Sequence, residues 1–113
     1  MPRDTSFHDY VMDLLDDIPG ITSRAMFSGW GIYKNKVFFA LISNGELYFK
    51  VGEGNRADFE HQKSHPFVYN NKGKKTMMSY WLVPEEILED PEVLFEWVEK
   101  AVLESKQSKK TKI

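Results

Sequence analysis

The 113-residue chain contains no cysteine. A disulfide framework, a thiol nucleophile and a cysteine-held zinc or iron–sulfur site are therefore excluded. Long apolar runs are missing too. The longest, Val37 to Ile42, is far too short to span a bilayer, and the opening MPRDTSFHDY has no apolar stretch to serve as a signal peptide. A cytoplasmic protein without membrane contact is expected. Histidine is scarce. His61 and His65 stand four apart with Asp58 and Glu60 nearby, and His8 is remote. A zinc site needs a third and usually a fourth ligand, and the segment Ser64 to Pro66 ends the helix before His65, so no metal is expected. Positive charge is short in the body of the chain. Net charge is −2 overall, but Lys106, Lys109, Lys110 and Lys112 sit in an acid-free tail, which leaves 11 basic and 17 acidic residues before it. A body at −6 is a poor general partner for a phosphate backbone.

What is present is enough for one core. The length is close to the commonest domain size. The 42% hydrophobic and 14% aromatic fractions argue for a packed interior rather than disorder. Phe7, Val11, Leu14 and Ile18 recur at helical spacing, so residues 5–18 read as an amphipathic helix. Thr5 or Ser6 would cap it, Asp9 would complete the capping box, and Pro19-Gly20 would end it. Residues 24–34 read as one β segment with a bend or bulge at Ser28-Gly29. Asn35 marks a tight connection to Val37–Ser43, whose apolar residues suit a central strand covered on both faces. Asn44-Gly45 is a strong hairpin signal, and Leu47, Phe49 and Val51 then alternate. A short helix from Asn55 to about Gln62 follows, then a hairpin of residues 67–70 and 76–82. Pro84-Glu85-Glu86 opens a helical turn. Asp90-Pro91-Glu92 starts a last helix with Leu94, Trp97, Val98 and Ala101 inward. The order α-β(3)-α-β(2)-α predicts a two-layer α+β domain with an antiparallel sheet packed by helices. The domain is expected over residues 1–104, with 105–113 a basic, disordered tail.

No catalytic residue is expected. No Ser stands in a Gly-x-Ser-x-Gly elbow. Gly52-Glu53-Gly54 lies between a strand and a helix, but an acid separates the glycines and no Lys-Ser/Thr follows, so it reads as a turn needing positive φ rather than a phosphate cradle. The acidic run Glu85, Glu86, Glu89, Asp90 and Glu92 reads as a solvated face, since catalytic carboxylate pairs need an apolar pocket. No cofactor is implied.

Two segments suit binding. Arg24 to Tyr33, RAMFSGWGIY, gathers Arg24, Trp30 and Tyr33 beside glycines, and such residues are enriched at protein–protein hot spots. A regulatory module with a protein partner follows as the leading expectation. Lys72, Lys74 and Lys75, between Tyr69 and Tyr80-Trp81, offer weak nucleic-acid binding as the alternative, with the lysine tail in support. An unrecognised small-ligand or enzymatic domain is the third.

Residues 24–33 also resemble the R-x-M-F-G-G-x-G-I-Y signature of the TfoX/Sxy family, N-terminal domain. The resemblance continues through Phe39-Ala40-Leu41-Ile42, Glu46 to Val51, Asn55-Arg56-Ala57-x-Phe59, Pro66-Phe67-x-Tyr69, Met78-Ser79-Tyr80 and Val83-Pro84-Glu85-Glu86, and so spans residues 7–103. It implies a secretion-chaperone-like α-β(3)-α-β(2)-α fold and a part in transcription regulation of bacterial competence, the uptake of DNA, in concert with a catabolite-responsive transcription factor. It implies no catalytic residues or cofactors. Ser28 replaces the first glycine of the signature pair. The family's C-terminal helical domain has no counterpart in these residues, so a stand-alone N-terminal domain is expected.

Overall fold

The computed structural model describes residues 5–26, 29–71 and 73–111. Its elements are α1 (Ser6–Leu14), β1 (Ile21–Met26), β2 (Gly29–Lys34), β3 (Val37–Ser43), β4 (Glu46–Lys50), α2 (Arg56–His61), β5 (Pro66–Asn71), β6 (Lys74–Leu82), α3 (Glu85–Leu88) and α4 (Pro91–Thr111). The strands form one antiparallel sheet in the order β1-β2-β3-β4-β6-β5. The α+β class and the antiparallel sheet packed by helices are as the sequence predicts. The strand count differs. The segment 24–34 is two strands, not one, because the chain reverses between Met26 and Gly29, which face each other in register. No Asn-Gly pair marks that reversal, and Ser28-Gly29 reads equally well as a bend.

Two other reversals carry their chemistry openly. Asn35 and Lys36 have φ of 49° and 71°, and Asn44 and Gly45 have 53° and 71°. Two consecutive left-handed residues give the turn whose twist matches paired strands. Asn tolerates that region and Gly adopts it freely. These turns join β2 to β3 and β3 to β4 in sequence order, while α2 intervenes before β6 docks beside β4.

The helices cover one face of the sheet. On that face lie Ile32, Phe39, Ala40, Leu47 and Phe49, all buried, packed with Val11 and Leu15 of the first helical segment, Phe59 of α2 and Leu94, Trp97 and Val98 of α4. Phe59 meets Trp97 with ring centroids 4.3 Å apart. A bulge adds to this core: Ile32 pairs with Ala40 and Tyr33 with Phe38, which leaves Phe39 as the extra residue of β3. α1 is shorter than the expected 5–18, yet Leu15 and Ile18 beyond its end are still core. Thr5 occupies its cap position without a side-chain bond, and Asp9 turns to His8 instead of completing a capping box. Asp90 does cap α4, accepting from the Val93 N–H at 3.4 Å. The helical backbone of α4 continues past Glu104, where the sequence suggests the packed domain stops, and both Glu104 and Ser105 are buried.

The other face has no helix on it among the described residues. The expectation that β3 is covered on both sides is therefore corrected. Phe38 and Leu41 are apolar but only half-buried, because the second layer they would need does not arrive. Nor do Gly52 and Gly54 adopt positive φ, as the turn reading requires. Their reason is space. A Cβ on either would strike the Glu104 carboxylate, which reaches the loop from α4 and accepts the Gly54 N–H at 3.2 Å. Asn55 completes the loop from below. Its side chain accepts from the Gly52 N–H at 2.8 Å and donates to the Lys50 carbonyl at 2.9 Å, instead of capping α2. Among the described residues no helix is long and apolar enough to cross a membrane.

Candidate functional site

The hairpin β1–β2 holds all three residues expected at a protein interface, but the pleat divides them. Successive side chains in a strand point to opposite faces. Trp30 points to the helical side, where its ring stacks on His8 of α1 at 4.0 Å between centroids. The same His8 holds the Ser23 hydroxyl at 2.8 Å, so α1 is tied to both strands. Arg24 and Tyr33 project from the opposite, uncovered face, with Arg24 exposed and Tyr33 half-buried. The structure therefore brings Arg24 and Tyr33 to one surface and places Trp30 on the other.

On the uncovered face Tyr33 begins a chain of rings. It meets Phe38 at 5.3 Å, and Phe38 meets Tyr80 at 5.4 Å. Further along, Tyr48 meets Phe67 at 5.0 Å. Gly31 makes room for this cluster: a Cβ there would press against Met26 and Phe38. Lys50 stands among the rings, its ammonium 5.4 Å from the Tyr80 centroid and donating to the Ser79 hydroxyl at 2.6 Å. Burial pulls Lys50 below the usual lysine range, and the charge of Glu104 partly offsets that pull. Burial pushes the Tyr80 phenol up to about 12, with Tyr33 adding to the effect. Tyr48 is also pushed up to about 12, by burial first and then by its hydrogen bond to Glu46, donated at 2.9 Å.

The sequence reading missed Phe38 and Lys50 as surface residues. Phe38 sits inside an apolar run that looked like interior throughout. Lys50 ends an alternating strand whose outward side looked merely solvated. The alternation of Tyr48 and Lys50 against Leu47 and Phe49 was the available signal.

The lysine-rich hairpin lies partly beyond view: Lys72 is outside the described residues, as are the side chains of Lys74 and Lys75. His61 closes α2 and His65 precedes β5, so the two do not share a helix face. A groove of about 510 Å³ between α1, the β3–β4 turn and α3 is lined by Phe7, Tyr10, Leu47, Leu82 and Leu88. A second of about 330 Å³ lies by the Gly52 loop, where the Arg56 guanidinium sits 5.6 Å from the Trp81 ring centroid. Neither lining includes a histidine.

No curated protein matches the chain. The model of the TfoX N-terminal domain matches residues 13–105, which takes in every strand, both short helices and most of α4. That domain is associated with competence regulators. With the glycine-bearing hairpin, the Asn55 loop and the Pro84-Glu85-Glu86 turn all inside the matched span, the chain belongs to the TfoX N-terminal domain family.

Proposed function

We propose that this domain is a non-catalytic regulatory module that binds a protein partner by adding a strand to β1. The observation that carries the reading is the state of that edge. β1 runs for six residues in one-to-one register with β2, without a bulge, and is the first strand of the sheet. It contains no proline or lysine, two of the usual means of blunting an edge, and Arg24 is its single charge. Main-chain bonds to such an edge supply affinity, and side chains beside it supply selectivity. Arg24 and Tyr33 on one side, and Trp30 against His8 on the other, would supply that selectivity. The association of the family with competence regulators supports a regulatory role.

The test is affinity capture from source-cell cytosol after nuclease treatment, followed by mass spectrometry. The wild-type domain should retain one partner in stoichiometric amount. Ala25→Lys, which puts an edge-blocking charge on an exposed position of β1, should release it while circular dichroism stays unchanged. Retention by both proteins, or no partner at all, overturns the reading.

A further inference from the structure

We propose that the uncovered face of the sheet binds single-stranded nucleic acid, at a site that shares Arg24 and Tyr33 with the β1 edge but extends across β3 and β6 and does not use the main chain of β1. Three observations point there.

The first is the ring surface. Tyr33, Phe38 and Tyr80 form a continuous half-buried row across β2, β3 and β6, on a face with no helix over it among the described residues. Unstacked bases have apolar faces that settle on such rings whatever their sequence, whereas a duplex keeps those faces to itself.

The second is the placing of cations on that row. Lys50 stands beside Tyr80, and Arg24 is exposed on the same face near Tyr33. Among the described residues no carboxylate lies within ion-pair distance of Lys50. Its hydrogen-bond acceptor is the neutral Ser79 hydroxyl, and Glu104 acts on it only from farther away. A partly dehydrated ammonium with a neutral partner is suited to a phosphate oxygen.

The third removes the objection from net charge. The acidic character of the body is not spread evenly. Of the charged strand residues whose side chains are described, Arg24 and Lys50 stand on the open face with the single acid Glu46, whereas Lys34 turns to the helices and pairs with Glu99. In the other layer the excess of acid lies in α1, α2 and α3, with Asp9, Asp13, Asp58, Glu60, Glu85 and Glu86 against Arg56, while in α4 Glu92, Glu96, Glu99 and Glu104 are matched by Lys100, Lys106, Lys109 and Lys110. A polyanion approaching α1 to α3 is repelled, and one approaching the open face of the sheet is not. The field within about 10 Å of a surface, not the total charge, governs contact at ordinary salt.

The experiment is fluorescence anisotropy of a labelled 12-nucleotide mixed-sequence strand, as DNA and as RNA, titrated with the full chain. The same strand in a duplex is the comparison. Binding should be measurable at 50 mM salt and favour the single strand. With two or three phosphates contacted, it should weaken by roughly 7- to 20-fold at 200 mM salt. Tyr33→Ala should weaken binding by about fivefold or more through loss of stacking, Tyr33→Phe should retain it, and Lys50→Gln should weaken it and flatten the salt dependence. Circular dichroism confirms that each variant is folded. Lys100→Ala, in the helical layer and paired there with Asp58, should bind as the wild type does. Four results each overturn the proposal: no binding at 50 mM salt, equal binding of duplex, binding indifferent to Tyr33→Ala and Lys50→Gln, or a protein partner that the same two variants release while no oligonucleotide binds.

Discussion

The two faces of the sheet are made by the same strands from the same kinds of residue, yet one is dry and the other is not. Ile32, Phe39 and Phe49 are completely buried toward the helices. Phe38, one residue from Phe39, and Tyr33, one residue from Ile32, stay half-buried on the other side. Hydrophobicity does not decide the difference. Among the described residues a second layer reaches one face and leaves the other open. An apolar side chain on the open face keeps part of its hydration cost, which is available to whatever docks there.

The comparison breaks first at its strongest point. Trp97→Ala removes a ring packed on Phe59 in the covered layer and should lower stability by about 3–5 kcal/mol in urea unfolding. Phe38→Ala, on the open face, should lower it by only roughly 1–2 kcal/mol, since a half-buried side chain gains part of the full burial energy. Equal losses would mean that the faces are equally packed. Gly52→Ala tests the joint between layers. The added methyl meets the Glu104 carboxylate, so a loss of roughly 1–3 kcal/mol is expected from overpacking. In a double-mutant cycle, Glu104→Ala should absorb much of that loss, and strict additivity would show that the two sites do not touch.

Alkaline titration gives a smaller and more selective signal. Tyr48 and Tyr80 hold their protons more tightly folded than unfolded. The stability from that difference is complete below pH 10 and drains away as pH rises toward 12. Lys50 acts in the opposite sense. Its lowered pKa means that the unfolded chain binds the proton better, so the burden of burying its charge is present at neutral pH and lifts as pH approaches 10.5. Tyr80→Phe should flatten the decline between pH 10 and 12 when unfolding is followed at several pH values. The smallest effect belongs to Lys34→Ala. The Lys34–Glu99 pair at 3.0 Å joins sheet to helix, but Glu99 is well exposed, so the loss should stay below about 1 kcal/mol and shrink with added salt.

Much of the fold was legible because it is written locally. Helical spacing marked Val11 and Leu15, Asn44-Gly45 marked a turn, and Asp90-Pro91 marked a helix start. What was not legible depended on distant partners. Alternation showed that β3 has two apolar sides, but not that only one would be covered. Two glycines flanking Glu53 suggested left-handed backbone, when their real constraint is a carboxylate some fifty residues later. At the candidate site, Arg24 and Tyr33 could be read from residue type, and Trp30 looked equivalent to them until the pleat and His8 set it apart. Lys50 became visible as part of the ring cluster only once β6 had placed Tyr80 beside it.

Glu104 also bears on the order in which the molecule can be made. Gly52 and Gly54 leave space in their loop, and the group that fills it belongs to nearly the last part of the matched domain. During synthesis the sheet's first four strands emerge well before α4, with that socket vacant and their core face covered from the N-terminal side alone, by Val11 and Leu15. A chain that stops short of residue 104 lacks the group that closes the loop, so its two layers should be joined less firmly than those of the full chain.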